Sequence, residues 1–170
     1  MAEYWDIYDK DRNKTGRLAE RDVYKLKEGE YHLVTIALIL NSKNEMLITR
    51  RAPTKKHEPL KWELTGGSIV TGETSLNGML REIREEIGVT FMPEDATFVT
   101  TTKRNEIARN FKDIWLFKKD LKKEDITFTD GEVIDSKWVS IEELLELKEN
   151  KETVKTMDFG LKEYKLALEK

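Results

Sequence analysis

The residues with the clearest chemical potential lie in LREIREEIGV, residues 80–89, where Arg81 is followed by Glu82, Glu85 and Glu86. On a helix, positions i, i+3 and i+4 share a face, so three carboxylates crowd one side. Like charges at this spacing destabilise a helix by about 0.2–0.5 kcal/mol per pair unless a cation offsets them. Arg81, four residues before Glu85, can hold one carboxylate through a forked hydrogen bond, but one guanidinium cannot neutralise three glutamates. Hard divalent ions take oxygen ligands, and magnesium is held through a few carboxylates while it keeps waters and substrate phosphates in its octahedron. The cluster therefore suits Mg²⁺ or Mn²⁺. A solvated acidic face is the competing reading for such a cluster taken alone.

Composition narrows the chemistry further. The chain has 170 residues, 38% hydrophobic and 37% charged, with 30 Lys and Arg against 33 Asp and Glu, for a net charge of -3. That balance predicts one soluble globular domain spanning residues 1–170. With no cysteine in the sequence, disulfides, thiolate zinc sites, iron–sulfur clusters and cysteine nucleophiles are excluded. His32 and His57 are too few for a three-histidine zinc centre, which leaves acid–base work to carboxylates, Lys or Tyr. No window approaches a membrane span, and the opening MAEYWDIYDKDR lacks the plan of a signal peptide, so the expected location is cytoplasmic. A sequence pI near 5.6 disfavours non-specific binding of duplex nucleic acid and leaves small anionic substrates open.

These side chains need a scaffold. YHLVTIALIL at 31–40, the turn residues at 41–44 and the apolar stretch 46–49 predict a β-hairpin. A charged strand pair is expected before it, from 4–8 and the polar turn DKDRNKTG; because this segment and ERDVYKLKEGEY have little core of their own to join, they are read as an arm for a homodimer. After the hairpin come a polar loop at 52–61, a short strand at 62–65 and a glycine-rich turn through Gly66, Gly67 and Gly72. A helix follows, with Thr74 or Ser75 as N-cap, an apolar stripe of Leu76, Met79, Leu80, Ile83 and Ile87, and Gly88 as its left-handed cap. Strand-like stretches at 97–102, 107–117 and 133–139 and helical ones at 141–147 and 159–168 complete an α/β (α+β) sandwich.

The stretch GSIVTGETSLNGMLREIREEIGV, residues 67–89, joins Gly67, Glu73, Arg81-Glu82, Glu85-Glu86 and Gly88 at fixed spacings and resembles the complete Nudix box. Gly78 stands where that family commonly has alanine. The resemblance implies a mixed β-sheet sandwiched between helices, and hydrolysis of the pyrophosphate in a nucleoside diphosphate linked to another moiety. It implies that Glu82, Glu85, Glu86 and the Gly66 carbonyl hold Mg²⁺ or Mn²⁺, that Arg81 orients the carboxylates, and that Glu73 braces the motif. Glu85, Glu82 and Arg81 are then the catalytic candidates. Glu132, on a later loop, is the candidate base or extra ligand, with Asp130 as its competitor.

On the substrate side, Arg50 and Arg51 are candidates of which strand alternation admits one, and Lys61 and Lys56 are others. Trp62 and Phe111 are read as core or rim packing, and His57 as exposed and idle. WDIYDKDRNKTG and the hairpin sequence are similar to the Nudix branch that includes isopentenyl-diphosphate isomerase, in which His32 would match a metal-binding histidine. That isomerase relies on a cysteine, and none is present, so hydrolysis is expected and His32 is read as a residue at the start of its strand. Two other readings compete: a Nudix-fold sensor that binds a nucleotide or diphosphate without turnover, and an RNA 5′-end pyrophosphohydrolase, which the acidic pI disfavours.

Overall fold

In the computed structural model, which describes residues 2–21, 23–106 and 108–170, the chain runs β1 (Tyr4–Tyr8), β2 (Lys14–Glu20), β3 (His32–Leu40), β4 (Met46–Arg51), β5 (Trp62–Glu63), β6 (Gly66–Ser68), α1 (Ser75–Ile87), β7 (Thr97–Arg104), β8 (Asn110–Lys118), β9 (Val133–Val139), α2 (Ile141–Glu149) and α3 (Leu161–Leu168). The main sheet has the order β5-β4-β3-β8-β7, with β6 paired to β3 and β9 to β4. β3 and β8 run parallel from His32↔Asn110 to Leu40↔Lys118, and the other pairs are antiparallel. This is the mixed α+β architecture expected from the sequence.

Alternation along β3 serves both faces of the sheet. Leu38 and Leu40 pack with Leu144 of α2, Phe159 and Ala167 of α3, whereas Ala37 and Ile39 pack with Met79, Ile83 and Ile87 of α1. Buried on both faces, β3 reads as an unbroken apolar run. Helix α1 begins where Thr74 Oγ1 accepts from Asn77 N at 3.2 Å and ends at Gly88, whose φ of 70° is the left-handed cap. A methyl group on Gly78 would stand 2.3 Å from Ile69 Cδ1 and 3.0 Å from Glu73 Oε2. With glycine here the Ile69 side chain packs against the helix in a place that an alanine would make it vacate.

The predicted hairpin needs correction. β3 and β4 are paired at Leu40↔Met46 beside the turn, and β6 then takes over the edge of β3 through Val34↔Ser68, Thr35↔Gly67 and Ile36↔Gly66. Gly66 and Gly67 are therefore strand residues and not a plain turn, because the edge of β3 exposed by the departure of β4 needs backbone partners. The strand read at 62–65 shortens to Trp62–Glu63. The strand read at 107–117 begins at Asn110, and Ile107 lies outside the described residues, as does Asp22 of ERDVYKLKEGEY.

The premise of the dimer arm also fails. β1 and β2 form their own two-stranded sheet, but Ile7, Tyr8 and Ala19 are buried, and Tyr8 and Tyr31 exchange backbone hydrogen bonds at 2.8 and 2.9 Å. The charged hairpin lies on its own chain. Among the described residues no helix is long and apolar enough to cross a membrane.

Candidate active site

Where β3 and β4 part, β6 and the polar face of α1 line a cleft, and Arg81 is its organiser. Arg81 Nε donates to Glu73 Oε1 at 2.7 Å and Nη2 to Glu73 Oε2 at 3.0 Å. Nη1 reaches Glu82 Oε1 at 2.8 Å and Glu85 Oε2 at 3.0 Å, and Nη2 also donates to the Ser68 carbonyl at 3.3 Å. One planar guanidinium thus fixes three carboxylates and ties the helix to the strand before it, a task for which lysine lacks the geometry. Burial would raise the Glu73 carboxyl, but the fork from Arg81 outweighs it and holds Glu73 low. Gly67 leaves room for this arrangement, since a Cβ there would stand 2.3 Å from Glu82 Oε1.

Glu86 differs from its neighbours. It is only 6% exposed, and its Oε2 has no hydrogen-bond partner. Burial pushes its carboxyl well above the ordinary range, and the charges of Glu63, Glu82 and Asp130 push it further. Thr65 opposes this as the last and smallest influence, and since Thr65 Oγ1 also lacks a partner of good geometry, it leaves Glu86 Oε2 unsatisfied. Glu82 is raised by burial against the pull of Arg81, and Glu63 is raised by burial against Arg51, which grips it at 2.9 and 3.0 Å. An orphaned, buried oxygen amid carboxylates that resist ionising is the donor chemistry that a hard divalent ion satisfies. Among the described residues no three acidic side chains already form a metal cage; Arg81 holds Glu82 and Glu85, and Glu86 lies near enough to feel the charge of Glu82. The residues fit the ion in type.

This arrangement makes a pH prediction for protein held in a chelator. A carboxyl raised in the folded state keeps a proton that the unfolded chain has released, so stability is lost as pH rises above about 4.5, the unfolded Glu value, towards the raised one. His32 acts in the opposite sense, since burial lowers it to about 4 and stability is gained up to its ordinary value of 6.5. Comparing wild type with Glu86→Gln cancels the histidine. The variant should melt higher at pH 8, by about 2–4 °C for each kcal/mol relieved, and should lose this advantage near pH 4.5. A thermal melt series in which the gap is absent at pH 8 would refute the reading.

Of the paired arginines, one lines the cleft. Arg51 faces the cleft and holds Glu63, while Arg50 donates to the Leu60 carbonyl and lies over the Trp62 ring at 5.7 Å. Arg50 does not line the cleft. Nor does Lys61, whose ammonium bonds the Lys151 carbonyl, because β5 turns it towards the segment after α2. Lys56 and His57 are exposed, and Trp62 and Phe111 belong to the core. Gly66, Glu82, Glu85 and Glu86 all line the cleft, as do Asp130 and Glu132. Glu132 is ion-paired with Lys55. Sequence reasoning missed Lys55 and Glu63. Glu63 carried a faint signal, being a charged residue next to buried Trp62 in a two-residue strand, whereas Lys55 was indistinguishable from the other loop lysines.

Comparison with known proteins agrees with this geometry. The NUDIX domain family model matches residues 30–158. An uncharacterized Nudix hydrolase of Listeria monocytogenes is 34% identical over 153 residues, covering 89% of this chain and 88% of that protein. An isopentenyl-diphosphate Delta-isomerase of Escherichia coli is 28% identical over 119 residues, 67% of this chain and 64% of that one. A solved structure from Deinococcus radiodurans shares the fold with a TM-score of 0.75 at 22% identity, covering 89% of this chain and 92% of the other. With a complete glutamate motif on α1 and a family match over most of its length, the chain is an enzyme of the Nudix hydrolase family, whose members hydrolyse pyrophosphate bonds and generally use divalent metals.

Proposed function

We propose that this cleft hydrolyses the pyrophosphate of a nucleoside diphosphate linked to another moiety, with Mg²⁺ or Mn²⁺. The observation that carries the reading is Glu86, whose Oε2 is buried without a hydrogen-bond partner, on the same helix as Glu82 and Glu85, which Arg81 holds in place. Glu82, Glu85, Glu86 and the Gly66 carbonyl would hold the ion. When bound, it supplies the positive charge that screens phosphate oxygens and acidifies water. The chain's own residues do the rest. Arg51 and Lys55 present cations in the same cleft, where a diphosphate would compete with Glu63 and Glu132 for them. Displacing Lys55 from Glu132 frees that carboxylate to accept a proton, and Asp130 Oδ1, which accepts from Glu132 N at 2.8 Å, fixes the loop that carries it.

The test is phosphate release in the presence of Mg²⁺ or Mn²⁺ and excess phosphatase, across nucleotide sugars, ADP-ribose, dinucleoside polyphosphates, nucleoside triphosphates and capped or triphosphorylated RNA. Metal-dependent release from one or more classes is expected. Silence across the panel from protein that binds Mn²⁺ by calorimetry would overturn the hydrolase reading in favour of a sensor.

A further inference from the structure

Residues 150–160 join α2 to α3 as a strap that reaches from β5 to β7. Its first part is a backbone partner of β5, where Trp62 N donates to the Glu152 carbonyl at 2.9 Å and Val154 N to the Trp62 carbonyl at 3.0 Å. Beyond Val154 it is held by cations. Lys112 Nζ of β8 donates to the Thr156 carbonyl at 2.7 Å and to Asp158 Oδ2 at 3.2 Å. Arg104 of β7 grips Asp158 Oδ1, and Lys148 of α2 donates to the Phe159 carbonyl at 2.5 Å.

Asp158 also stands between two cavities. One, of about 240 Å³, adjoins the catalytic cleft, shares Val34, Glu63, Gly66 and Gly67 with it, and has Lys112 in its wall. The other, of about 530 Å³, is lined by Lys103, Arg104 and Lys155 against Glu106. Thr156 and Asp158 line both cavities. The carboxylate that gives one oxygen to Lys112 and the other to Arg104 therefore forms part of the partition.

The charges at this partition do not balance. Lys112 is 6% exposed, and burial lowers its ammonium below the ordinary lysine value against the pull of Asp158, with Arg104 and Lys148 adding to the burial. Lys112, Arg104 and Lys148 thus gather around one carboxylate, and a buried ammonium needs an anion or a carbonyl to bond it. Asp158 is the replaceable member. It leaves 32% of its side chain exposed, against 8% for Lys112 and 19% for Arg104. It also belongs to a connection rather than to the sheet, so it can turn to water where the two cations cannot.

We infer that Lys112 and Arg104 form an anion site for the far end of the substrate, in which Asp158 stands in for a carboxylate or phosphate on the linked moiety. The inference rests on reading the adjoining cleft as the diphosphate site. With the diphosphate in that cleft, the linked moiety enters the smaller cavity between Val34 and Met157, and its acid meets Lys112. Among nucleoside diphosphate derivatives this favours those whose linked moiety is itself an acid. A neutral moiety leaves Asp158 in place and gains nothing from the two cations.

Two matched pairs test this, UDP-glucose with UDP-glucuronate and ADP-ribose with ADP-ribose 1″-phosphate, each as the methylene analogue whose bridging carbon resists hydrolysis. The first pair differs by a carboxylate and the second by a phosphate. In calorimetry with Mg²⁺ at least one acidic member is expected to bind about tenfold more tightly than its neutral partner, the strength of one charge-assisted hydrogen bond. Which pair shows the gap tells carboxylate from phosphate. Asp158→Asn, which withdraws the charge of the stand-in, should tighten that acidic member about fivefold further and leave its partner within twofold. Lys112→Met, which keeps the aliphatic stem, should bring the two within twofold of each other. A gap below twofold in both pairs, or no binding by any of the four, would overturn the inference. So would an Asp158→Asn effect equal on both members of a pair, which would make Asp158 a fastener of the strap alone. If Lys112→Met does not fold, Asp158→Asn decides. Metal-dependent phosphate release by a protein blind to the acid would remove this inference and leave the hydrolase reading standing, whereas a gap in a protein without turnover would do the reverse.

Discussion

Replacing Glu85 by glutamine is expected to lower metal-dependent hydrolysis about a thousandfold while leaving the fold intact. The neutral amide keeps the shape of the side chain and removes one unit of negative charge from the cleft; a divalent ion contributes several kcal/mol to a phosphoryl transition state, and each 1.36 kcal/mol lost is a factor of ten in rate. Stability should barely move. Glu85 is 46% exposed along its side chain, and its bond to Arg81, 3.0 Å and four residues apart on the helix, is a solvated pair worth about 0.3–0.5 kcal/mol. Glu86→Gln should match it in lost activity but differ in the melt, where relief of a buried charge raises stability at high pH. Arg81→Lys should fall between, because the ammonium keeps the charge but cannot span Glu73, Glu82 and Glu85 at once. Turnover assays at saturating Mg²⁺ with circular dichroism controls separate these outcomes. Retention of more than about a tenth of wild-type activity by Glu85→Gln would mean that the carboxylate does not serve the metal.

Helix α1 was fully legible because two periodic signals coincide in it: Met79, Ile83 and Ile87 at one face and the glutamates at another, bounded by a threonine cap and a glycine cap. The helical rule is local, so nothing outside 74–88 was needed. What failed depends on residues distant in sequence. Whether Gly66 and Gly67 turn or pair is decided by how far β4 follows β3, and the choice between Arg50 and Arg51 depends on a register in which β9 pairs with β4 and shifts between those two residues. On the helical wheel the three glutamates form one patch. In the structure Arg81 bonds Glu82 and Glu85 together with Glu73 of the preceding loop, a partner the helical wheel does not include, while Glu86 is buried. The charged N-terminal hairpin looked like an arm without a core because its anchor, Asp113, lies about a hundred residues away.

That anchor sets the largest stability effect expected in the molecule. Arg12 Nη1 and Nη2 grip Asp113 Oδ1 and Oδ2 at 2.8 and 2.5 Å, and Nη1 also reaches Thr101 Oγ1 at 2.8 Å. Thr101 in turn donates to Asp113 at 2.7 Å. The two partners are unequally placed, with 35% of the arginine side chain exposed against 2% of the aspartate. Arg12→Ala strands a buried carboxylate with one hydroxyl for company, and breaking a buried pair in this way costs about 3–5 kcal/mol. Asp113→Asn should cost less, since the amide Oδ1 still accepts from Arg12 Nη1 and Thr101 without a buried carboxylate, and Nη2, left facing an amide N–H donor, belongs to a guanidinium exposed enough to turn to water. The expected order in chemical denaturation is therefore wild type, Asp113→Asn, then Arg12→Ala, and an Arg12→Ala loss below about 1 kcal/mol would place the pair among ordinary surface ion pairs. The consequence reaches the site, because the same hairpin carries Trp5 over His32 and brings Glu3 and Arg21 to the cleft. An anchor lost at Arg12 should thus loosen the rim of the cleft before the domain unfolds, and metal-dependent turnover by Arg12→Ala should fall at temperatures below its melting transition.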